Sequence, residues 1–144
     1  MTERVDFYVL KSAASKQRWT FACRLTEKAY LRDLKVVLLS DSAAEAESLD
    51  ELLWTFSERS FVPHDLCRAG EAAAAAPVRL TPALEGIESA DLLVNLAQRM
   101  PAGLERFGRI AEIIDADDAR RARGRERFKA YRDLKLPVET HHDD

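Results

Sequence analysis

The chain has 144 residues, of which 47% are hydrophobic and 33% charged, a balance typical of a folded protein with its own core and not of a disordered chain. The net charge of −3 argues against a general nucleic-acid binder, because such domains are usually basic. No apolar run approaches the ~20 residues that cross a membrane, and the N-terminus does not resemble a signal peptide. We therefore expect one cytoplasmic domain, residues 1–144, with no membrane partner.

The first half of the chain alternates between strand and helix patterns. An apolar run predicts a strand over residues 5–10, and one apolar stripe predicts an amphipathic helix over 16–33. A near-continuous apolar run predicts a buried strand over 35–40. Ser42 then opens a capping box with Glu45, which predicts a second helix reaching about Phe56.

The second half continues this alternation. Residues 61–64 fit a short strand or a loop, with Pro63 restricting a strand to an edge or a strand start. Further strands are predicted over 78–80, 91–96 and 109–115, a long cationic helix over 116–134, and a last edge strand over 138–141. The whole pattern predicts an α/β fold, a three-layer sandwich with a mostly parallel sheet.

Such a fold suggests nucleotide binding, but the chain lacks the phosphate-binding motifs. Its five glycines form neither the dinucleotide fingerprint nor the P-loop, and the turn after the first strand, residues 11–15 (KSAAS), contains none. Asp41 ends the second strand, where an acid could bind a ribose, although a capping or turn role fits it better without a phosphate cradle. We expect a nucleotide-binding-like topology without a nucleotide site, and no cofactor.

Catalytic and metal-binding patterns are equally weak. Cys23 falls on the apolar stripe of the first helix, where a buried thiol is expected. Cys67 lies three residues from His64, but no third group that would orient such a pair is evident. The two cysteines match neither a zinc spacing nor a disulfide framework, and His141 with His142 is expected to be solvated near the terminus. We predict no catalytic and no metal site.

Two surface features are not explained by the core. Trp54 lies well over 90° from the core stripe of the second helix, and with Phe61 it predicts an exposed aromatic patch of the kind that binds proteins. The alternative is that residues 57–70 fold back over Trp54. The second feature is the stretch 120–132, whose seven basic residues and one acid give a local charge of +6, against −9 for the remainder.

The cationic stretch is organised as a helix with distinct faces. Its basic row lies on one face, with Gly124 and Tyr131 on an adjacent face that packs on the sheet and Phe128 at the boundary. The row consists of Arg121, Arg125, Lys129 and Arg132. This pattern favours an acidic peptide that ends in a hydrophobic residue, its carboxylate bound by a guanidinium. A merely solvated charged helix is the alternative, weakened because only Glu126 is available for pairing within the run.

Four sequence blocks resemble the chi subunit family of bacterial DNA polymerase III. They lie in the family's order over almost the whole chain: 7–10 (FYVL), 49–54 (LDELLW) with 60–64 (SFVPH), 92–96 (LLVNL) and 125–132 (RERFKAYR). The resemblance implies a non-catalytic accessory subunit of the clamp-loader complex, associated with DNA only indirectly. It also implies two partners, the acidic C-terminal tail of the single-stranded DNA-binding protein, which ends in phenylalanine, and the psi subunit.

The resemblance also implies roles for individual residues. In the tail site, Arg125 would bind the terminal carboxylate, Arg121 and Lys129 the tail's aspartates, and Phe128, often tyrosine in the family, would wall the pocket for the terminal ring. Arg132 completes this set. The psi face would centre on Trp54 and Phe61.

Two alternatives to this interpretation remain open at the level of sequence. The cationic helix could bind single-stranded nucleic acid directly, with Phe128 and Tyr131 as the candidate stacking residues, although the acidic remainder of the chain opposes this. The chain could also be a degenerate nucleotide-dependent enzyme.

Overall fold

The structure, a computed structural model, describes residues 2–57, 62–66 and 76–142. Strands and helices alternate from the first strand to the third and again from the sixth to the seventh, as the sequence predicts, while the described residues between them form strands and one 3-10 turn. In chain order they are β1 (Arg4–Val9), α1 (Ser15–Tyr30), β2 (Val36–Leu39), α2 (Ala43–Thr55), β3 (His64–Leu66), β4 (Val78–Thr81), β5 (Ala90–Asn95), a 3-10 turn (Leu104–Arg106), β6 (Phe107–Ile114), α3 (Asp118–Asp133) and β7 (Val138–His142).

The seven strands form one sheet in the order β3-β4-β2-β5-β6-β1-β7. Every neighbouring pair is parallel, and the register places Val5 beside Ile110 of β6 and Val138 of β7. The interior strand β2 is buried along its whole length, which agrees with its near-continuous apolar sequence. The predicted α/β fold with a mostly parallel sheet is confirmed.

The helices cover both faces of the sheet. The steps from β1 to β2 and from β2 to β3 run toward one edge, whereas the step from β6 to β7 runs toward the other. Because such crossovers are right-handed, opposite directions place the connecting helices on opposite faces. Accordingly, Cys23 of α1 and Leu53 of α2 belong to one buried cluster, and Tyr131 of α3 belongs to a second. The predicted three layers are therefore present.

Local signals in the sequence fix where the helices begin and end. The Ser42 side chain accepts a hydrogen bond from the Glu45 amide at 3.2 Å, as the capping box predicts, while the Glu45 carboxylate accepts from Asp41 at 3.3 Å instead of from Ser42. Asp117 caps α3 by accepting from the Arg120 amide at 2.9 Å. Two residues after the end of α3, Lys135 takes a left-handed conformation with φ 62°, which turns the chain toward β7.

Within the described ranges, no helix combines the length and the apolar character required to cross a bilayer.

Candidate functional site

Helix α3 is anchored to the sheet by residues on its buried face. Gly124 comes so close to the sheet that an added Cβ would lie 2.7 Å from Ile114 Cδ1. One and two turns further on, Arg127 and Tyr131 are also buried, with exposed fractions of 4% and 0%. The predicted packing of Gly124 and Tyr131 on the sheet is confirmed, whereas the burial of Arg127 is not predicted by the charge pattern of the helix.

Arg127 is buried because it meets a carboxylate in the middle of β6. Its Nε donates to Glu112 Oε1 at 3.0 Å, and its guanidinium also donates to the Gln98 carbonyl at 3.0 Å. The other oxygen, Glu112 Oε2, accepts from the Tyr131 hydroxyl at 2.7 Å and from Asn95 Nδ2 at 2.8 Å. Glu112 has no exposed surface, and Arg127, Tyr131 and Asn95 each supply it with a donor.

The electrostatics of this cluster reflect its burial. Desolvation raises the pKa of Glu112, while the charge of Arg127 and the hydrogen bonds from Asn95, Tyr131 and Arg127 act in the opposite direction. The pKa of Tyr131 is raised by burial and by the neighbouring Glu112 carboxylate. Tyr131 therefore keeps its proton and acts as a donor. We call Glu112, Arg127, Tyr131 and Asn95 the Glu112 cluster.

The outward flank of α3 carries the predicted basic row beside an aromatic ring. Arg125, Lys129 and Arg132 are exposed, and Phe128 is half-buried with its ring packed edge-on against Phe7 at 5.1 Å between centroids. The Arg132 guanidinium lies 6.0 Å from the centre of the Phe128 ring, within reach of a cation–π interaction. The structure thus brings these side chains together on one flank.

Arg121 differs from the rest of the row. It is only partly exposed, and its Nε donates to the Asp115 backbone carbonyl at 3.1 Å. Its neighbour Arg120 pairs with the buried Asp115 carboxylate at 2.6 Å. That hydrogen bond, together with others, outweighs the desolvation that would raise the pKa of Asp115, so this pKa is lowered. Two of the seven basic residues, Arg120 and Arg127, are therefore paired with acids that lie outside the run.

The second predicted surface is centred on Trp54 in the last part of α2. Its side chain is 49% exposed, and its ring lies 4.3 Å from that of His64, centroid to centroid. The segment beginning at Val62 thus reaches one side of the indole and leaves about half of Trp54 accessible. His64 itself is buried between the Val62 and Asp50 carbonyl oxygens, at 2.6 and 3.1 Å. Phe61 lies outside the described residues.

The crevice at the carboxyl ends of the strands, where doubly wound folds bind nucleotides, is crossed by protein contacts. Arg18 is buried and donates to the Leu96 carbonyl at 3.3 Å, and Arg120 donates to the Ala13 carbonyl at 3.3 Å. Asp41 does not cap α2, whose N-cap is Ser42. Its carboxylate accepts from the Gln98 amide at 3.0 Å and thereby holds the loop after β5.

One of the two cysteines lies in the part of the chain that the structure describes. Cys23 is buried, as the sequence predicts, and desolvation raises its pKa to about 12, which keeps the thiol protonated. Cys67 lies outside the described residues.

His141 is not simply solvated, because its Nε2 lies 2.9 Å from Asp6 Oδ1. Asp6, Glu139 and His141 offer ligand atoms within 4.8 Å of one another, but Arg4 already binds both carboxylates.

Comparison with known proteins gives one consistent family. The family profile described as "DNA polymerase III chi subunit, HolC" matches residues 1–139. The DNA polymerase III subunit chi of Pseudomonas aeruginosa is 38% identical over 138 residues, which are 96% of this chain and 95% of that protein. The corresponding protein of Haemophilus influenzae is 31% identical over 134 residues, 92% of each chain. That of Escherichia coli is 28% identical over 111 residues, 76% of this chain and 75% of that one.

Among solved structures, the chain resembles a helicase domain in fold. The structure titled "Mss116p DEAD-box helicase domain 2 bound to an RNA duplex" superposes with a TM-score of 0.60 at 10% identity over 96% of this chain. The chain spans 65% of the length of that structure. At this identity the likeness shows the nucleotide-binding-like topology alone.

Proposed function

The chain belongs to the DNA polymerase III chi subunit family, and on this basis we propose that it is a non-catalytic accessory subunit of the clamp-loader complex. In this role it links the clamp loader to the single-stranded DNA-binding protein by binding that protein's acidic C-terminal tail. The contacts that cross the nucleotide crevice support a binding role over a nucleotide-dependent reaction.

One observation carries the tail proposal: Arg125, Lys129 and Arg132 are exposed on the same flank of α3 as the half-buried ring of Phe128. An acidic peptide that ends in phenylalanine needs a cation for its carboxylate, further cations for its aspartates, and an apolar wall for its last ring. The flank offers all three within about two turns of helix.

We assign each residue of the flank a distinct contact. Arg125 binds the terminal carboxylate, because a guanidinium can donate two parallel hydrogen bonds to it. Lys129 and Arg132 bind the tail's aspartates, and Phe128 packs against the terminal ring. Arg121 contributes chiefly charge, since its Nε is already committed to the Asp115 carbonyl.

The test is a fluorescence-anisotropy titration of a labelled acidic peptide with a free C-terminal phenylalanine. We expect Arg125→Ala to weaken binding at least about tenfold, because it removes a charge-assisted, bidentate contact. Arg123→Ala is the matched control, since Arg123 is an exposed arginine on the opposite flank of α3, and we expect a change within about twofold.

Two further arms make this experiment decisive. Amidation of the peptide's terminal carboxylate is expected to weaken binding to the wild type but not to weaken it further in Arg125→Ala. Binding is also expected to weaken as salt rises, because the site is exposed. Equal loss in Arg125→Ala and Arg123→Ala would show attraction by net charge alone and would contradict a carboxylate site at Arg125.

We propose that the Trp54 surface binds the psi subunit, with Phe61 contributing. Two facts support this proposal. Trp54 is a large aromatic residue that is 49% exposed in a member of the chi subunit family, and tryptophan is enriched at interface hot spots. Trp54→Ala is expected to weaken psi binding at least about tenfold in calorimetry. Leu31→Ala, which removes another exposed apolar side chain at 72% exposure, is the control and is expected to leave binding unchanged.

A further inference from the structure

We infer that the Glu112 cluster is a positioning device for the tail-binding flank, setting the rotation of α3 about its own axis. This inference rests on the proposed tail-binding function. It assigns a role to Glu112, Arg127 and Tyr131, none of which belongs to the exposed flank.

The cluster joins α3 to the sheet at two successive turns. Arg127 and Tyr131 are one turn apart, and they contact the two different oxygens of one carboxylate, at 3.0 and 2.7 Å. Arg127 also donates to the Gln98 carbonyl at 3.0 Å, so that one side chain connects the helix to two separate segments. Asn95 holds the carboxylate from the neighbouring strand at 2.8 Å. These directional contacts resist rotation of the helix.

Arg120 and Arg121 fix the first turn of α3 to Asp115 by hydrogen bonds. Beyond that turn, the contacts of α3 outside the cluster restrain its distance from the sheet more than its rotation. Gly124 allows close approach to Ile114, and Phe128 packs on Phe7, but apolar contacts are not directional. Side chains extend about 5–6 Å from a helix axis, so a rotation of about 20° moves a tip by about 2 Å. Because Arg125 and Phe128 turn with the helix, their spacing is kept, but both move relative to Phe7, and the area of the Phe128 ring left open to a peptide changes.

An ion pair is a costly way to achieve packing alone. Glu112 and Arg127 are 0% and 4% exposed, and a buried pair of this kind is often replaceable by apolar or neutral residues without loss of stability. An apolar pair of equal volume could fill the same space, but it could not make the directional hydrogen bonds of the ion pair. The pair therefore specifies an orientation, and the residues whose orientation it specifies include Arg125 and Phe128.

The test separates this role from stability by replacing both charges together. In Glu112→Gln/Arg127→Met the replacements stay unbranched and close in reach, and neither charge is left unpaired, so we expect thermal unfolding within a few degrees of the wild type. The affinity for the acidic phenylalanine-ending peptide is nevertheless expected to fall about three- to tenfold. Tyr131→Phe keeps the ring and removes one hydrogen bond, and we expect it to produce a smaller loss of about two- to threefold.

A double-mutant cycle with Phe128→Ala supplies the second readout. If the cluster acts through Phe128, its replacement is expected to cost less affinity once the Phe128 ring is gone, whereas general destabilisation would add in full. The inference is overturned if the folded double variant binds like the wild type, or if the losses add and track unfolding temperature. If the double variant does not fold, Tyr131→Phe decides in the same way. Failure of wild-type binding would instead overturn the proposed function itself.

Discussion

Gly124 shows how one residue sets the distance between α3 and the sheet. Glycine in a helix interior costs about 1 kcal/mol relative to alanine, so its presence needs a compensating gain. The 2.7 Å approach of an added Cβ to Ile114 Cδ1 identifies that gain as close packing of the helix on β6. The tightest approach is to the terminal methyl group, with Cγ1 of the same side chain next at 3.2 Å, which makes the explanation testable.

We predict that Gly124→Ala and Ile114→Val are strongly coupled in stability. Alone, Gly124→Ala is expected to be neutral or destabilising by up to about 2 kcal/mol, because overpacking offsets the better helix propensity. In the Ile114→Val background the clashing Cδ1 is absent, and the same change is expected to stabilise by up to about 1 kcal/mol. Urea unfolding of the four chains measures the coupling, and simple additivity would contradict the close contact.

Cys23 provides a prediction about reactivity. Because burial raises its pKa to about 12, the thiol stays protonated at pH 8, and it is also inaccessible. In a Cys67→Ser chain, we expect a disulfide reagent to modify Cys23 only as fast as the protein unfolds. The control is the same chain in denaturant, where labelling should be immediate. Rapid labelling of the native chain would show that the cysteine is not enclosed by α1 and the sheet.

At the scale of single elements, α2 and α3 both begin with a side-chain cap, and each capping residue is of a type that is preferred at helix starts. Ser42 accepts from the Glu45 amide and Asp117 from the Arg120 amide. Each cap satisfies a backbone donor that would otherwise lose its partner at the start of the helix. The position of each helix along the chain is therefore set locally.

We predict that Ser42→Ala destabilises the protein by about 1 kcal/mol, because the Glu45 amide loses its acceptor. Ser48→Ala is the control within the same helix. The Ser48 hydroxyl donates to the Ala44 carbonyl on the exposed side, and alanine is the better helix former, so we expect no loss. Chemical denaturation measures both, and equal effects would mean that the cap does not stabilise α2.

The sequence predicts elements better than it predicts the contacts between them. Most of the strands and helices lie close to their predicted positions, because apolar periodicity and caps are local. The exceptions are β3, which begins where the predicted segment 61–64 ends, and the 3-10 turn, which the sequence pattern does not predict. The partnership of Glu112 and Arg127 is not local, since it joins β6 to α3. The sequence does contain a signal, the acid Glu112 inside the apolar run 110–114, which on a buried strand requires a cationic partner. Which of seven basic residues supplies it depends on the helix rotation.

At the scale of the whole molecule, positive charge is concentrated on one element of an acidic body. Residues 120–132 carry +6 while the rest of the chain carries −9. Pairing of Arg120 with Asp115 and of Arg127 with Glu112 reduces the free charge and leaves it mainly on the outward flank of α3. A compact positive flank suits a short acidic segment better than a long polyanion, which would also meet the acidic surroundings.

The same arrangement leads to a prediction about direct nucleic-acid binding. Binding of single strands without sequence preference relies on aromatic side chains on which bases stack. Of the two candidates, Tyr131 is fully buried and donates to Glu112, which leaves only the partly covered ring of Phe128. We therefore expect an oligothymidine of about 20 nucleotides not to displace the labelled acidic peptide at concentrations where unlabelled peptide displaces it fully.

The salt dependence of the two ligands separates the mechanisms further. Peptide binding is expected to retain a salt-resistant part, because the terminal ring packs on Phe128 and apolar contacts are not screened. Any oligonucleotide binding is expected to disappear at moderate salt, since it depends on counterion release alone. Phe128→Ala should then abolish the salt-resistant part of peptide binding and leave residual oligonucleotide binding unchanged. The opposite result has two parts: the oligonucleotide displaces the labelled peptide at the concentration at which unlabelled peptide does, and Phe128→Ala weakens the binding of both ligands equally. That result would identify the flank as a single-strand binding surface.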